Sequence, residues 1–76
     1  MSSDYPSLKA KRLLRLLESL GYVIVSTNGS HRKLRCEEHP PLTFAFHDKI
    51  EVPSRIVKKI LTKDVGLTDE EARSIL

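Results

Sequence analysis

Just past an Asn28-Gly29 pair, every second residue is a histidine or a fixed cation: His31, Lys33 and Arg35. Histidine is the side chain that exchanges a proton near neutral pH, its ordinary pKa being about 6.5. Lysine and arginine beside it supply what a metal-free reaction at a phosphodiester needs: a clamp on the phosphate and a positive field for the charge that builds there. If the polyanion is RNA, the nucleophile is already present as the 2′-hydroxyl, and the protein need only move protons. A second histidine, His47, is a candidate helper or phosphate contact. Each residue also has a plainer reading. His31 is then a solvent-facing residue beside a turn, Lys33 and Arg35 a solvated face, and His47 an edge residue at a strand end. Ser30 is read as shaping the turn, since no base–acid relay for it is apparent, and His39, within a proline loop, as inert. Metal-ligand spacing is absent, because three isolated histidines and the single Cys36 make no recognisable pattern.

The face those residues share depends on the strands that carry them. Asn-Gly is a strong hairpin signal, because both central residues of a type I′ turn take φ > 0. It joins a β-branched strand at residues 22–26 to a second strand at residues 30–36. In that second strand Leu34 and Cys36 face one way, and His31, Lys33 and Arg35 the other. Residues 37–41, with two prolines, read as a loop. Residues 42–47 read as a third strand, with Leu42, Phe44 and Phe46 on one face and Thr43, Ala45 and His47 on the other. Pairing Cys36 with Leu42 sets Lys33 against Ala45 and His31 against His47, with Cβ atoms about 4.5–5.5 Å apart. Any register that keeps the apolar set inward keeps both histidines on the open face.

Around the sheet, residues 1–5 read as a loose tail and Ser7 as the N-cap of a helix running to about Leu20. Leu13, Leu16, Leu17 and Leu20 follow helical spacing, flanked by Ala10 and Leu14, and Gly21 ends the helix. Residues 48–52 connect to a second helix opened by Pro53 and running to about Lys63. Its stripe is Ile56, Val57, Ile60 and Leu61; its basic face is Arg55, Lys58, Lys59 and Lys63. Thr68-Asp69-Glu70-Glu71 is a capping box for a last helix with Ala72, Ile75 and Leu76 inward. The predicted architecture is a two-layer α+β sandwich in the order α-β-β-β-α-α, with a three-stranded antiparallel sheet open on one face.

The 76 residues are read as one domain, residues 1–76. The net charge of +3 hides an asymmetry. Residues 5–36 hold Lys9, Lys11, Arg12, Arg15, Arg32, Lys33 and Arg35 against Glu18 alone, whereas residues 64–76 hold Asp64, Asp69, Glu70 and Glu71 against Arg73. A basic body with an acidic end suits a polyanion-binding face. Cys36 cannot form an internal disulfide and reads as a small buried hydrophobe. No apolar run is long enough to span a membrane and no signal peptide is evident, so the expected location is the cytoplasm. Tyr22, Phe44 and Phe46 belong to the core, so stacking of bases on exposed rings is not the expected mode of binding.

Several segments together resemble the HicA (YcfA-type) toxins. They are Leu20-Gly21-Tyr22 at the end of the leucine-rich helix, the triplet Gly29-Ser30-His31 with Leu34 and Arg35 after it, and residues 43–47 ending in histidine. Ile60-Leu61 and Gly66-Leu67 before an acidic segment complete the set. The resemblance spans nearly the whole chain. It implies a double-stranded-RNA-binding-domain-like α-β-β-β-α fold with a short extra C-terminal helix. It also implies an mRNA interferase that cuts mRNA with His31 as its catalytic residue and needs no cofactor. The implied partner is a HicB-like antitoxin of a type II pair, covering the His31 face. The chain departs from the family in having Ala45 where a proline is usual, Pro53-Ser54 where Gly-Thr is usual, and one extra residue near Asp64-Val65. Two other readings stand beside this one. They are a non-catalytic RNA-binding module of the same fold, and an adaptor that binds protein through the leucine-rich helix or the acidic end.

Overall fold

In the computed structural model, which describes residues 5–76, the leucine spacing forms helix α1 (Ala10–Ser19). Ala10, Leu13 and Leu17 are fully buried, and Leu14, Leu16 and Leu20 pack at the margin of the core. The helix starts later than a Ser7 cap requires. Leu8–Lys9 is instead a short strand, β1, antiparallel to a strand at Glu51–Val52. No side chain caps α1. Its first N–H groups, those of Ala10 and Lys11, donate to the carbonyls of Ile50 and Asp48 at 2.8 and 3.2 Å. A remote loop thus satisfies the donors that a local cap would have taken. Ser7 donates its hydroxyl to the Glu51 carboxylate at 2.6 Å. At the other end Gly21 has φ +106, and the N–H groups of Tyr22 and Gly21 donate to the carbonyls of Leu17 and Glu18 at 3.2 and 3.0 Å. This is the Schellman pattern, which favours glycine. Space favours it too, since a Cβ there would lie 3.3 Å from Cys36 Sγ.

Three strands follow: β2 (Val23–Asn28), β3 (His31–Arg35) and β4 (Leu42–Phe44), antiparallel in the order β2-β3-β4. Leu34 and Phe44 turn inward and are buried with the α1 leucines. The strand that pairs with β1 is β5 (Glu51–Val52), with Val52 fully buried. Helix α2 (Ser54–Lys59) begins after Pro53 and continues as a π-helical turn over Ile60–Asp64, where the Val65 N–H donates to the Ile60 carbonyl at 2.9 Å. An i→i+5 turn takes up one residue more than an α turn. Leu61 within it and Val65 just after it are both buried in the core.

The last helix, α3 (Asp69–Ser74), carries the expected capping box. Glu71 N–H donates to Thr68 Oγ1 at 3.1 Å, and Thr68 N–H donates to Glu71 Oε1 at 2.9 Å. Ala72 is buried and Ile75 partly so, but Leu76 is exposed, because α3 has ended before it. Tyr5 is not part of a loose tail. It is buried, and its phenol donates to Asp69 at 2.7 Å, the carboxylate that also accepts from Arg73 Nε at 2.8 Å. The donation from Tyr5, and then that from Arg73, holds the Asp69 carboxyl below its ordinary pKa. Residues 1–4, the rest of the expected tail, lie outside the described residues. The architecture is α+β in the double-stranded-RNA-binding-domain-like order α-β-β-β-α, with a short C-terminal helix.

Candidate active site

His31 is the first residue of β3, and a turn fixes it there. The turn lies one residue later than the Asn-Gly reading has it. Asn28 is the last residue of β2 and pairs with His31, leaving Gly29-Ser30 as the central residues. Gly29 has φ +63, and no other residue type among those described has a positive φ. One left-handed residue at the first central position is the type II′ pattern rather than type I′. Along β3, His31, Lys33 and Arg35 are exposed and Leu34 is fully buried. The three side chains of the sequence pattern therefore share the open face. Lys33 lies between Ser26 of β2 and Thr43 of β4, and Arg35 lies beside Val23. The β2–β3 register slips between Ile24 and Ser26, a bulge that leaves Val25 over. Bulges of this kind are frequent beside functional sites, where they re-aim a side chain.

The expected pairing of His31 with His47 is not formed. Arg32 pairs with Phe44, where the predicted register requires Phe46, and β4 ends before Ala45. The loop at residues 36–41 accounts for the shift. Cys36 leaves the ladder and directs its thiol to the Leu20 carbonyl at 3.5 Å. The buried Tyr22 donates its phenol to the Pro40 carbonyl at 2.6 Å, and its ring stacks on His39 at 6.1 Å. Burial pushes the Tyr22 phenol above its ordinary pKa. His39 is thus a packing residue of this loop. A two-residue shift leaves the faces unchanged, so only the partner of His31 is altered. His47 is exposed beyond β4, in a turn where the Ile50 N–H donates to its carbonyl at 3.0 Å.

One residue of the region escaped the sequence reading. Arg32, between His31 and Lys33, faces inward, and its Nη2 lies 3.1 Å from Asp48 Oδ1. Its Nη1 is buried without a hydrogen-bond partner among the described residues. Asp48 follows His47, so this ion pair ties the His47 turn to the strand that carries His31. Strand alternation was the available signal: it places Arg32 on the apolar side with Leu34, where a guanidinium needs a carboxylate. Asp48→Asn should lower unfolding stability by about 1 kcal/mol at low salt, since the pair is partly exposed. Denaturant unfolding in low and high salt checks this, because screening should narrow the gap between variant and wild type.

Among the described residues no group of three or more His, Cys, Asp or Glu side chains is placed to hold a metal ion. No helix among them is long and apolar enough to cross a membrane. A family model described as the HicA toxin of bacterial toxin–antitoxin matches residues 10–67 of the 76. The chain belongs to the HicA toxin family. No curated protein and no solved structure matches it. The HicA match includes His31, Lys33, Arg35, His47 and the Arg32–Asp48 pair, and it ends before α3. Membership gives the chain a toxin role and implies an antitoxin as its partner.

Proposed function

We propose that this HicA-family toxin is an endoribonuclease that cuts mRNA with His31 as its catalytic residue and without a metal ion. The observation that carries the reading is the shared exposure of His31, Lys33 and Arg35 on the open face of the sheet. In the proposed reaction the 2′-oxygen attacks the adjacent phosphorus. The O2′–P bond forms, the P–O5′ bond breaks, and the 2′-hydroxyl proton is removed. His31 takes that proton or gives one to the departing 5′-oxygen, and water carries the other of the two transfers. Lys33 and Arg35 hold the phosphate and stabilise the charge that gathers on it in the transition state. His47 stands further off, as a phosphate contact on the flanking RNA. The partner is a HicB-like antitoxin that covers the His31 face, and the setting is the cytoplasm, where both mRNA and antitoxin are made.

The route is tested by its products. Purified protein incubated with RNA in excess chelator should leave 2′,3′-cyclic phosphate and 5′-hydroxyl ends. A linear 3′-phosphate with no cyclic intermediate at short times, or a requirement for added magnesium, rejects it. One observation favours a second reading, a non-catalytic RNA-binding module. The register leaves His31 opposite no second histidine, so no acid–base pair is built into the sheet. That reading requires wild-type protein to bind RNA and leave it intact.

A further inference from the structure

The open face holds a feature of which the proposed chemistry uses only the two cations, Lys33 and Arg35. On the same strand as His31, starting two residues along it at Lys33, lies a shallow depression of about 320 Å³, lined by Val25, Lys33, Arg35, Pro41 and Thr43. Leu34 and Leu42 line it as well. They pair with each other across β3 and β4, and Leu34 is buried toward the core, so the sheet backbone forms the floor. Val25 reaches the depression because the β2 bulge leaves it out of the ladder, and it is 52% exposed. The walls are apolar, the rim carries two cations, and the Thr43 hydroxyl is exposed on β4 opposite Lys33.

We propose that this depression is a nucleotide subsite, which seats the base next to the scissile phosphate of a single-stranded RNA. The inference rests on the nuclease reading of the same face and extends it to base selection. Position is the first argument. Lys33 is two residues from His31 on one strand, roughly 7 Å along it, a span that one nucleotide of an extended RNA bridges. With the scissile phosphate at His31, the neighbouring nucleotide therefore lies over the depression. Chemistry is the second argument. A base has an apolar face and a polar edge, and its phosphates are anionic. Val25 and Pro41 offer apolar contact to that face. Lys33 and Arg35 meet the phosphates. Thr43 offers one donor and acceptor to the edge, and an edge contact is what separates one base from another.

The test uses two readouts. In the first, a random-sequence single-stranded RNA pool is cut by wild type, Val25→Phe and Thr43→Val, and the bases flanking each cut are counted. Both positions are exposed, and Thr43→Val still informs if Val25→Phe fails to fold. The expected result is a change of about tenfold in base preference at one flanking position, the scale a single pocket contact provides. An unchanged distribution at every flanking position overturns the subsite, even where cutting itself is robust. So does a Val25→Phe protein that cuts as before and has lost only its neutralisation by antitoxin, since the surface then belongs to a protein partner. In the second readout, His31→Ala protein is titrated with a short single-stranded RNA and compared with His31→Ala/Val25→Glu. The expected result is about tenfold weaker binding for the second protein, whose carboxylate repels phosphate. This readout decides the matter if wild type cuts no RNA. Weaker binding then keeps the subsite while the nuclease reading falls, and equal binding removes both.

Discussion

His31→Ala is expected to abolish growth arrest on expression and to slow RNA cleavage by about 10²–10⁴-fold, the contribution of one positioned proton-transfer group. The fold should survive the change. His31 is exposed and contributes only its backbone to the ladder with Asn28, which alanine supplies equally well. Surface substitutions of this kind usually stay within about 0.5 kcal/mol. RNA affinity should also be nearly unchanged, because Lys33 and Arg35 remain. The diagnostic pattern is therefore lost cleavage with retained melting temperature and retained binding. Equal behaviour of wild type and variant, in both growth and RNA integrity, rejects His31 as the catalytic residue. If neither protein cuts but both bind RNA, the toxin acts by occupying its target.

Which parts of this site were legible in the sequence follows from how local the physics is. The open face was readable because alternation along β3 is a property of the strand itself, and Leu34 anchors the opposite side in the core. The Thr68 capping box and the glycine that ends α1 are readable for the same reason, each being set by four to six consecutive residues. Features closed by distant parts of the chain were not. A side-chain cap puts the start of α1 at Ser7, whereas carbonyls from Asp48 and Ile50 do the capping. The two-residue strands β1 and β5 carry no periodicity at all. The β3–β4 register depends on where Tyr22, His39 and Cys36 hold an intervening loop, and those contacts join residues far apart in the chain. The propensity of Asn28 for a left-handed backbone puts the turn before His31 one residue too early, while Gly29 takes that conformation more easily. Parity survived each of these errors, which is why the face of His31 was predicted correctly and its partner was not.

Replacing Lys33 and Arg35 together by glutamine should weaken RNA binding by one to two orders of magnitude at low salt and flatten its salt dependence. Each phosphate contact on a single strand adds about 0.7 to the slope of log affinity against log salt. Loss of both contacts should thus reduce that slope by about 1.4. The side chains are exposed, so their removal exposes no core and leaves no buried group unpaired. Stability is expected to hold or rise slightly, since two like charges on one strand face repel each other. Binding measured in the His31→Ala background isolates this effect from turnover. Cleavage kinetics then separate two roles. If the cations only hold ground-state phosphate, KM rises and kcat stays. If they stabilise the charge that grows at phosphorus, kcat falls as well, because that interaction is stronger in the transition state than in the bound substrate. Lys33, nearer to His31 along β3, should show the kcat effect more than Arg35. An unchanged salt slope in the double variant removes both residues from the RNA interface and leaves the basic strand a solvated surface.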